Sequence, residues 1–164
     1  MMALKSILVA TDFGEASNAA LNYGRELART FGATLHVLHV ADDVYMRLGG
    51  DAYVAVLPDL QKDVEAAAHR QLDELLIDND PNPLPVKKAV VTSAATAIAI
   101  VQYARDMGID LIIVGTHGRG AVAHLLMGSV AERVVRTAHC PVLTVRHPEH
   151  DFVTPDALMT RAQA

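Results

Sequence analysis

Two hydrophobic patterns alternate along this chain: short continuous apolar runs, and longer stretches in which apolar residues recur every three or four positions. The runs have the length of strands, and the longer stretches have the period of helices. This alternation predicts right-handed βαβ units, and therefore an α/β fold with an open, mostly parallel five-stranded sheet and helices on both faces. The predicted strands are Ile7–Ala10, Thr34–Val40, Val86–Val91, Leu111–Val114 and Pro141–Val145.

A helix is predicted between each pair of successive strands. The first has Ser17 as its N-cap and ends at Gly32, and the second covers Pro58–Ile77. The third passes through Ile98–Arg105, and the fourth, with an apolar stripe that includes Val130 and Val135, follows Ser129. The stretch between the second strand and the second helix shows no period, and its length is typical of a ligand-covering loop or a dimer interface.

Two apolar strands run directly into residues that suit a ligand site. Leu111–Val114 is followed by a glycine-rich loop, and Gly128-Ser129 then opens a helix whose first N–H groups and dipole favour a phosphate. Ile7–Ala10 is followed by Asp12, which either caps the turn into the next helix or takes part in the site. The glycines by themselves are also compatible with a loop that only turns the chain.

The single cysteine and the paired histidines do not indicate a metal site. His36 and His39 are three residues apart on a predicted strand, so they point to opposite faces and are interpreted as structural. Cys140 is the only cysteine, which excludes an internal disulfide and every multi-cysteine metal site. It is interpreted as a packing residue at the entry to the last strand.

Composition and charge mainly exclude classes of partner and location. The 164 residues suffice for one domain, and the 51% apolar content with few aromatics suits strands covered by helices. The 14 basic and 19 acidic residues form no block of like charge, which argues against a nucleic-acid partner and a membrane-binding patch. The chain shows neither a membrane-spanning apolar run nor a signal peptide, so a cytoplasmic protein is expected.

Several common phosphate-binding and catalytic motifs are absent from the sequence. There is no GxxxxGK[ST] motif, no GxSxG elbow and no GxGxxG after the first strand, which excludes a P-loop, a hydrolase nucleophile and a dehydrogenase. A receiver domain would need an acidic pair after the first strand and a lysine after the fifth, and the chain has neither. No residue is therefore assigned a catalytic role.

The glycine spacing around the fourth strand resembles the nucleotide-binding signature of the universal stress protein family, in its ATP-binding branch. Gly115 is followed after two residues by Gly118, and after nine more by Gly128 and Ser129. The segments SILVATDFGEAS, HVLHV, DLIIVGTHGRG, GSVAERVVR and HCPVLTVR also resemble that family, in the same order. The likeness extends over Lys5–Arg146.

The resemblance implies one nucleotide-binding domain over residues 1–146, followed by a tail over 147–164. The family's strand order, three-two-one-four-five, would place the reversal of winding between the first and fourth strands. ATP would lie beyond these strand ends, with ADP and AMP left open, Mg²⁺ beside the phosphates and the adenine on the Val40 backbone. The implied binding residues are Ala10, Thr11, Asp12, Val40, Gly115, Thr116, His117, Gly118, Arg119, Gly120, Gly128, Ser129 and Val130.

One loop departs from the family's pattern. Thr92-Ser93-Ala94 stands where a Gly-x-Pro turn is usual, so the part of this loop in ligand binding is left open. His117 and His124 are additional candidate donors to the ligand. The sequence does not identify residues that bind the metal itself.

The resemblance also implies a function and an assembly. The expected protein is an ATP-binding, nucleotide-dependent regulatory or stress-response protein rather than an enzyme. A slow ATPase or phosphotransferase at the same site and a structural stress dimer without nucleotide are the alternatives. The family's strand order makes Pro141–Arg146 a sheet edge, and a homodimer through this strand is expected to bury Val142, Leu143 and Val145. The regulatory partner is not identified.

Overall fold

Five strands form a single sheet in this computed structural model, which describes residues 3–48, 56–77, 83–116 and 128–146. The order across the sheet is third, second, first, fourth, fifth, and all neighbouring strands are parallel. The predicted fold class and strand order are thus confirmed. The strands are β1 (Ser6–Ala10), β2 (Thr34–Ala41), β3 (Val86–Thr92), β4 (Leu111–Gly115) and β5 (Val142–Val145).

Helices cover both faces of the sheet, as predicted. Those described are α1 (Glu15–Phe31), α2 (Val44–Leu48), α3 (Leu57–Leu75), α4 (Thr96–Asp106) and α5 (Ser129–Thr137). α1 and α3 pack on one face, and α4 and α5 pack on the other. α2 was not predicted, because a helix of five residues is too short to show an apolar period and depends on tertiary contacts.

The alternating side chains of the central strands divide the core into two halves. Ile7 and Val9 of β1 lie with Ile113 of β4 on the α1 and α3 face, while Leu8 and Ile112 lie on the α4 and α5 face. All five side chains are fully buried. Each contributes about 1.5–3 kcal/mol relative to exposure to water. Burial on both faces explains why these strands are continuous apolar runs in the sequence.

α1 approaches the sheet closely at Gly24. A Cβ atom at this position would lie 2.5 Å from Cγ2 of Val9 and 3.3 Å from Cδ1 of Leu35. Glycine therefore sets the distance between the helix and the sheet. The helix ends at Gly32, as predicted, where φ is 64° and the left-handed backbone places the cap N–H near the last carbonyl groups.

Two predicted details of the helices are wrong. Gly14 rather than Ser17 is the N-cap of α1, because a turn after β1 directs the chain into the helix earlier than the apolar stripe suggests. Ser17 lies inside the first turn and is 4% exposed. Val130 and Val135 of α5 are 38% and 45% exposed, since this helix buries a narrower stripe than the sequence indicates.

Asp110 fastens the beginnings of β1 and β4 together. Its Oδ2 accepts hydrogen bonds from the N–H groups of Lys5 at 2.8 Å and Ser6 at 3.0 Å, which precede it by 105 and 104 residues. Its own N–H donates to the carbonyl oxygen of Ser6 at 2.9 Å. The two central strands are thereby joined at their amino ends.

A buried polar pair connects β2 with α4. His36 Nδ1 lies 3.0 Å from the hydroxyl oxygen of Tyr103, and His36 is 2% exposed. Burial, and secondarily the positive charge of Lys87, lowers the pKa of His36 below its usual 6.5. Burial also raises the pKa of Tyr103 above 10.0. Both side chains are therefore neutral at neutral pH.

Replacing His36 by asparagine should reduce the decrease in the free energy of unfolding that the protein shows as the pH falls below 6.5. The unfolded histidine takes up its proton near pH 6.5, whereas the folded one does so only at a lower pH. The contribution of neutral His36 to the free energy of unfolding is therefore complete above pH 6.5. It is lost as the pH falls toward the lowered pKa of the folded state. Urea unfolding across this range measures the difference. His69→Asn, on the exposed surface of α3, should keep the wild-type profile, and parallel profiles for wild type and His36→Asn would contradict the prediction.

Candidate functional site

The carboxyl ends of β1 and β4 lie side by side where the winding of the chain reverses. β1 leads into α1 on one face of the sheet, whereas the helix that follows β4, α5, packs on the other face. In open α/β sheets such a point forms a crevice in which ligands bind. The location of the crevice agrees with the strand ends that the sequence picked out.

Three predicted binding residues follow the last paired positions of neighbouring strands. Ala10 is the last residue of β1 that is paired with both β2 and β4. Asp12, Val40 and Thr116 each lie two residues beyond Ala10 or one of its two partners, at the same edge of the sheet. The sheet topology therefore brings together residues that are far apart in the sequence.

The chain leaves the sheet in a hydrogen-bonded turn around Thr11. Thr11 Oγ1 accepts the N–H of Phe13 at 3.0 Å and lies 3.1 Å from Ser17 Oγ, which donates to the carbonyl oxygen of Gly14 at 2.9 Å. These bonds hold Phe13 at a φ of 62°, a conformation that few residues other than glycine adopt. Because Thr11 is 5% exposed, its side chain belongs to the turn rather than to the crevice.

Asp12 caps the same turn. Its Oδ1 accepts the N–H of Gly14 at 2.9 Å, which confirms the capping interpretation. A Cβ atom at Gly14 would lie 2.9 Å from this oxygen, so glycine leaves room for the carboxylate. The negative charge also lies at the start of α1, where the helix dipole favours it. Contact of Asp12 with a ligand or its metal stays a prediction.

His39 connects the ends of β1 and β2. Its Nδ1 lies 2.8 Å from the carbonyl oxygen of Thr11, so this nitrogen carries the proton and donates it. The ring packs on Phe13, with 4.4 Å between the ring centroids and 31° between the planes. The interpretation of His39 as a hydrogen-bonded structural residue is confirmed, and His36, bonded to Tyr103, is structural as well.

The backbone of Val40 faces the space beyond the end of β1. β2 is paired with β1 as far as Leu38 and with β3 as far as Ala41. The groups of a parallel strand point alternately to its two neighbours: Leu38 O accepts from Thr11 N–H on one side, and Ala41 O accepts from Ser93 N–H on the other. Val40 follows the direction of Leu38, so its N–H and C=O both point past the last residue of β1.

Gly115 allows α1 to pack against the end of β4. A Cβ atom here would lie 2.8 Å from the carbonyl carbon of Ala16 and 2.9 Å from its Cβ and carbonyl oxygen. Glycines in such loops often allow a ligand to approach the backbone closely or adopt a positive φ. Among the described glycines the positive values belong to Gly32 and Gly108, so the packing explanation replaces the conformational one.

Thr116 connects the beginning of α5 to the end of β4. Its N–H donates to the carbonyl oxygen of Val145 at 2.8 Å, and its own carbonyl oxygen accepts the N–H of Gly128. Thr116 is 7% exposed, which keeps this connection away from water. The start of α5 is therefore held at the strand end from which the glycine-rich loop departs.

The N-cap residue of α5 is a glycine. Gly128, with φ −69° and ψ 154°, has no side chain with which to cap this end of the helix. The first N–H groups of a helix have no acceptor within it, and Ser129 and Val130 are exposed. This end can therefore bind an anion through backbone N–H groups and the helix dipole.

Part of the predicted site lies outside the described residues: His117, Gly118, Arg119 and Gly120, together with His124 and the tail 147–164. Among the residues that the structure describes, no group of three or more His, Cys, Asp or Glu side chains is arranged to hold a metal ion. A search of the same ranges finds no helix with the length and apolar character required to cross a membrane.

A polar cluster that the sequence did not predict lies at the carboxyl ends of β2 and β3. Gln61 Oε1 accepts the N–H of Val44 at 2.9 Å, and Gln61 Nε2 lies 3.3 Å from Asp42 O and 3.1 Å from Glu65 Oε1. Thr92 Oγ1 donates to the same Glu65 oxygen at 2.7 Å. The cluster attaches α2 to α3 and the sheet. In the sequence, Gln61 and Glu65 look like ordinary solvated residues of an amphipathic helix.

Comparison with known proteins identifies relatives over nearly the whole chain. The family described as Universal stress protein family matches residues 3–146. Universal stress protein A homolog 1 from Coxiella burnetii (strain RSA 493 / Nine Mile phase I) is 31% identical over 144 residues, which cover 88% of this chain and 97% of that protein.

Solved structures share the same fold. The structure of MJ0577, a protein of Methanocaldococcus jannaschii, aligns with a TM-score of 0.77 and 26% identity, over 91% of this chain and 100% of that chain. A universal stress protein in complex with cAMP aligns with a TM-score of 0.58 over 88% of this chain and 98% of that chain. Its identity of 21% makes this second likeness one of fold alone.

Gly115→Ala should destabilise the protein by about 1–3 kcal/mol, because the added methyl group meets backbone atoms of Ala16 that cannot rotate away. The displaced turn carries Asp12, so its amide resonance should also shift in NMR spectra. Urea unfolding measures the first effect. Ala16→Gly in the same background removes one of the contacts and should restore part of the stability. A wild-type unfolding midpoint for Gly115→Ala would contradict the packing explanation.

Proposed function

Because this chain belongs to the universal stress protein family, we propose that it is an ATP-binding regulatory protein that acts as a homodimer. The observation that carries the proposal is that three features lie at the carboxyl edge of the sheet, at and beside the switch point between β1 and β4. These are the Val40 backbone at the end of β2, the Asp12 carboxylate after β1, and the start of α5 at Gly128. Together they provide groups for a base, a metal and a phosphate.

The base end of the nucleotide fits the strand end of β2. Val40 directs a donor and an acceptor into the space beyond β1, which is the pair that one edge of an adenine ring requires. The neighbouring polar cluster around Gln61 holds α2 beside this strand end. A flat base would therefore lie between a fixed strand and a fixed short helix.

The phosphate end fits the beginning of α5. Gly128, Ser129 and Val130 offer backbone N–H groups, and the Ser129 hydroxyl adds a donor. Mg²⁺ usually keeps several waters and is held by one or two carboxylates in addition to phosphate oxygens. A single carboxylate at Asp12 fits an ion that the nucleotide itself carries, and such an ion would neutralise phosphate charge. His117, Gly118, Arg119 and Gly120 are proposed to complete the loop side of this site.

The relatives support the proposal at the level of family and fold. The cAMP-bound neighbour has the same architecture, but its identity to this chain is 21%, so its ligand is not transferred residue by residue. The choice of ATP follows instead from the likeness of the glycine spacing to the signature of the family's ATP-binding branch, and the three features at the sheet edge support it. The regulatory role follows from membership of the universal stress protein family.

The two edges of the sheet differ in a way that favours β5 for dimerisation. β3 carries the exposed side chains of Lys87 and Lys88, and Lys88 pairs with Asp73. Charged lysines discourage the addition of another strand. β5 instead presents Val142 and Leu143, which are half-buried and apolar. An interface between copies would complete their burial.

The backbone of β5 also directs hydrogen-bonding groups away from β4, at the edge of the sheet that the structure describes. Pro141 O and Val145 O accept hydrogen bonds from β4, so the intervening residues Val142 and Thr144 direct their N–H and C=O groups outward. A two-fold axis would pair these groups with their own copies. Val145 is 5% exposed because it packs in the core of its own chain, which removes its side chain from the expected interface.

Gly128→Val should weaken ATP binding at least tenfold, about 1.4 kcal/mol, while the fold is retained. Valine readily adopts the extended backbone of Gly128, φ −69° and ψ 154°, but its branched side chain fills space that the phosphate needs. Calorimetry with ATP measures the affinity. Ser129→Ala is the milder comparison and should cost about 1 kcal/mol, since one neutral hydrogen bond is removed. Undiminished affinity in Gly128→Val would show that this helix start does not hold phosphate.

Thr144→Pro should dissociate the dimer, because proline removes an outward N–H from β5 without disturbing its pairing with β4. Leu143→Lys should have the same effect by placing a charge in the interface. Light scattering at micromolar concentration distinguishes monomer from dimer. Val86→Lys, at a 38% exposed position on β3, is the control on the opposite edge and should leave the dimer intact. A monomeric wild type would refute the homodimer.

A further inference from the structure

The N–H and C=O of Val40 lack the partners that a continuing strand pair would give them. In regular parallel pairing, Val40 N–H would donate to Thr11 O, and Val40 O would accept the N–H of Phe13. Both of these groups, Thr11 O and Phe13 N–H, are instead hydrogen-bonded to side chains. Thr11 O accepts from His39 Nδ1 at 2.8 Å, and Phe13 N–H donates to Thr11 Oγ1 at 3.0 Å.

We propose that His39 is a positioning residue that, together with the Thr11 side chain, keeps the Val40 backbone available to an adenine base. The inference rests on the proposed ATP binding and explains how the base end of that site is built. His39 itself lies behind the turn, against Phe13, and acts through the Thr11 carbonyl group. It does not touch the nucleotide.

The exchange of hydrogen bonds leaves the turn itself satisfied. Thr11 O and Phe13 N–H each lose a backbone partner from β2, and each gains a side-chain partner of normal length. Buried backbone groups strongly require such partners, so β1 can stop pairing with β2 at Ala10 without leaving these two groups orphaned. The groups left without a strand partner are the N–H and C=O of Val40, on the side that faces the crevice.

The chemistry of the Val40 pair favours adenine over guanine. Adenine carries an exocyclic amino group, a donor that suits the Val40 carbonyl oxygen, beside a ring nitrogen that accepts from the Val40 N–H. Guanine carries the acceptor O6 in place of that amino group. Its oxygen would face the Val40 carbonyl oxygen, and two acceptors repel each other. A fixed Val40 pair therefore selects ATP over GTP.

Two substitutions of His39 separate its hydrogen bond from its ring. His39→Phe keeps a ring against Phe13 but removes the donor to Thr11. His39→Asn removes the ring but keeps an amide nitrogen at the position of Nδ1. The full-length chain without nucleotide is used first, and hydrogen exchange of the Val40 amide is followed by NMR.

In His39→Phe, the Thr11 carbonyl group loses the bond that orients it toward the His39 side chain and can turn to accept from Val40, so the Val40 amide should exchange on the order of tenfold more slowly than in the wild type. In His39→Asn, the exchange rate should stay near that of the wild type. Thr11→Val is a second test of the same arrangement, because it frees the N–H of Phe13 for the Val40 carbonyl oxygen.

Calorimetry with ATP and GTP then measures the consequence for binding. His39→Phe should weaken ATP binding on the order of tenfold and reduce the preference for ATP over GTP, whereas His39→Asn should stay within about threefold of the wild type for both. A loss of global stability would not change the ratio of the ATP affinity to the GTP affinity. This ratio is therefore the measurement that decides the role of His39.

Wild-type Val40 exchange together with a wild-type ATP to GTP ratio in His39→Phe would overturn the inference. Equal losses in His39→Phe and His39→Asn would overturn it as well, because they would not depend on the donor. A wild-type protein that binds neither nucleotide would refute the proposed function and the adenine role together. The exchange measurement needs no nucleotide, so it distinguishes this failure from a failure of His39 to hold the strand end open.

Discussion

The described part of the site depends on β1 ending before the strands on either side of it. β1 is central and buried on both faces, so its backbone groups must keep partners where it stops. The Thr11 turn provides them through side chains, and it also presents Asp12. Beyond Ala10, β2 and β4 are separated by two strand spacings, about 10 Å, a width suited to a flat ring or a phosphate chain. The crevice is therefore the gap between β2 and β4 where β1 has ended.

The fold could be predicted from the sequence because its strongest signals are local. Strands buried on both faces must be apolar throughout, and the helices between them must carry a repeating apolar face. Leu111–Val114 meets the first requirement, and the repeating apolar positions of α1 meet the second. The strand order is different, since no local pattern specifies neighbours, and it was available only through family resemblance. Gly32 was predictable because left-handed backbone at a helix end nearly demands glycine.

The details of the site were less predictable because they arise between distant segments. Gly115 attracted attention as part of a glycine-rich loop, but its described role is to admit Ala16 of α1, which nothing in the loop sequence indicates. Ser17 looked like an N-cap, although the preceding turn moves the helix start to Gly14. The cluster around Gln61 needs α2, α3 and β3 together. Such contacts exist only after the chain has folded.

The bond between Asp110 and the start of β1 has a consequence for how the protein folds. It closes a loop of more than 100 residues, since its partners precede it by 104 and 105 positions. β1, α1 and β2 are close in sequence and can associate early, but β4 must return over this long loop before the sheet is complete. Contacts between residues so far apart slow folding, because the entropy of closing the loop opposes them. The crevice between β1 and β4 exists only where these two strands are paired. A ligand that binds there stabilises the paired state alone, so its occupancy reports that two segments about 100 residues apart in the sequence are correctly assembled.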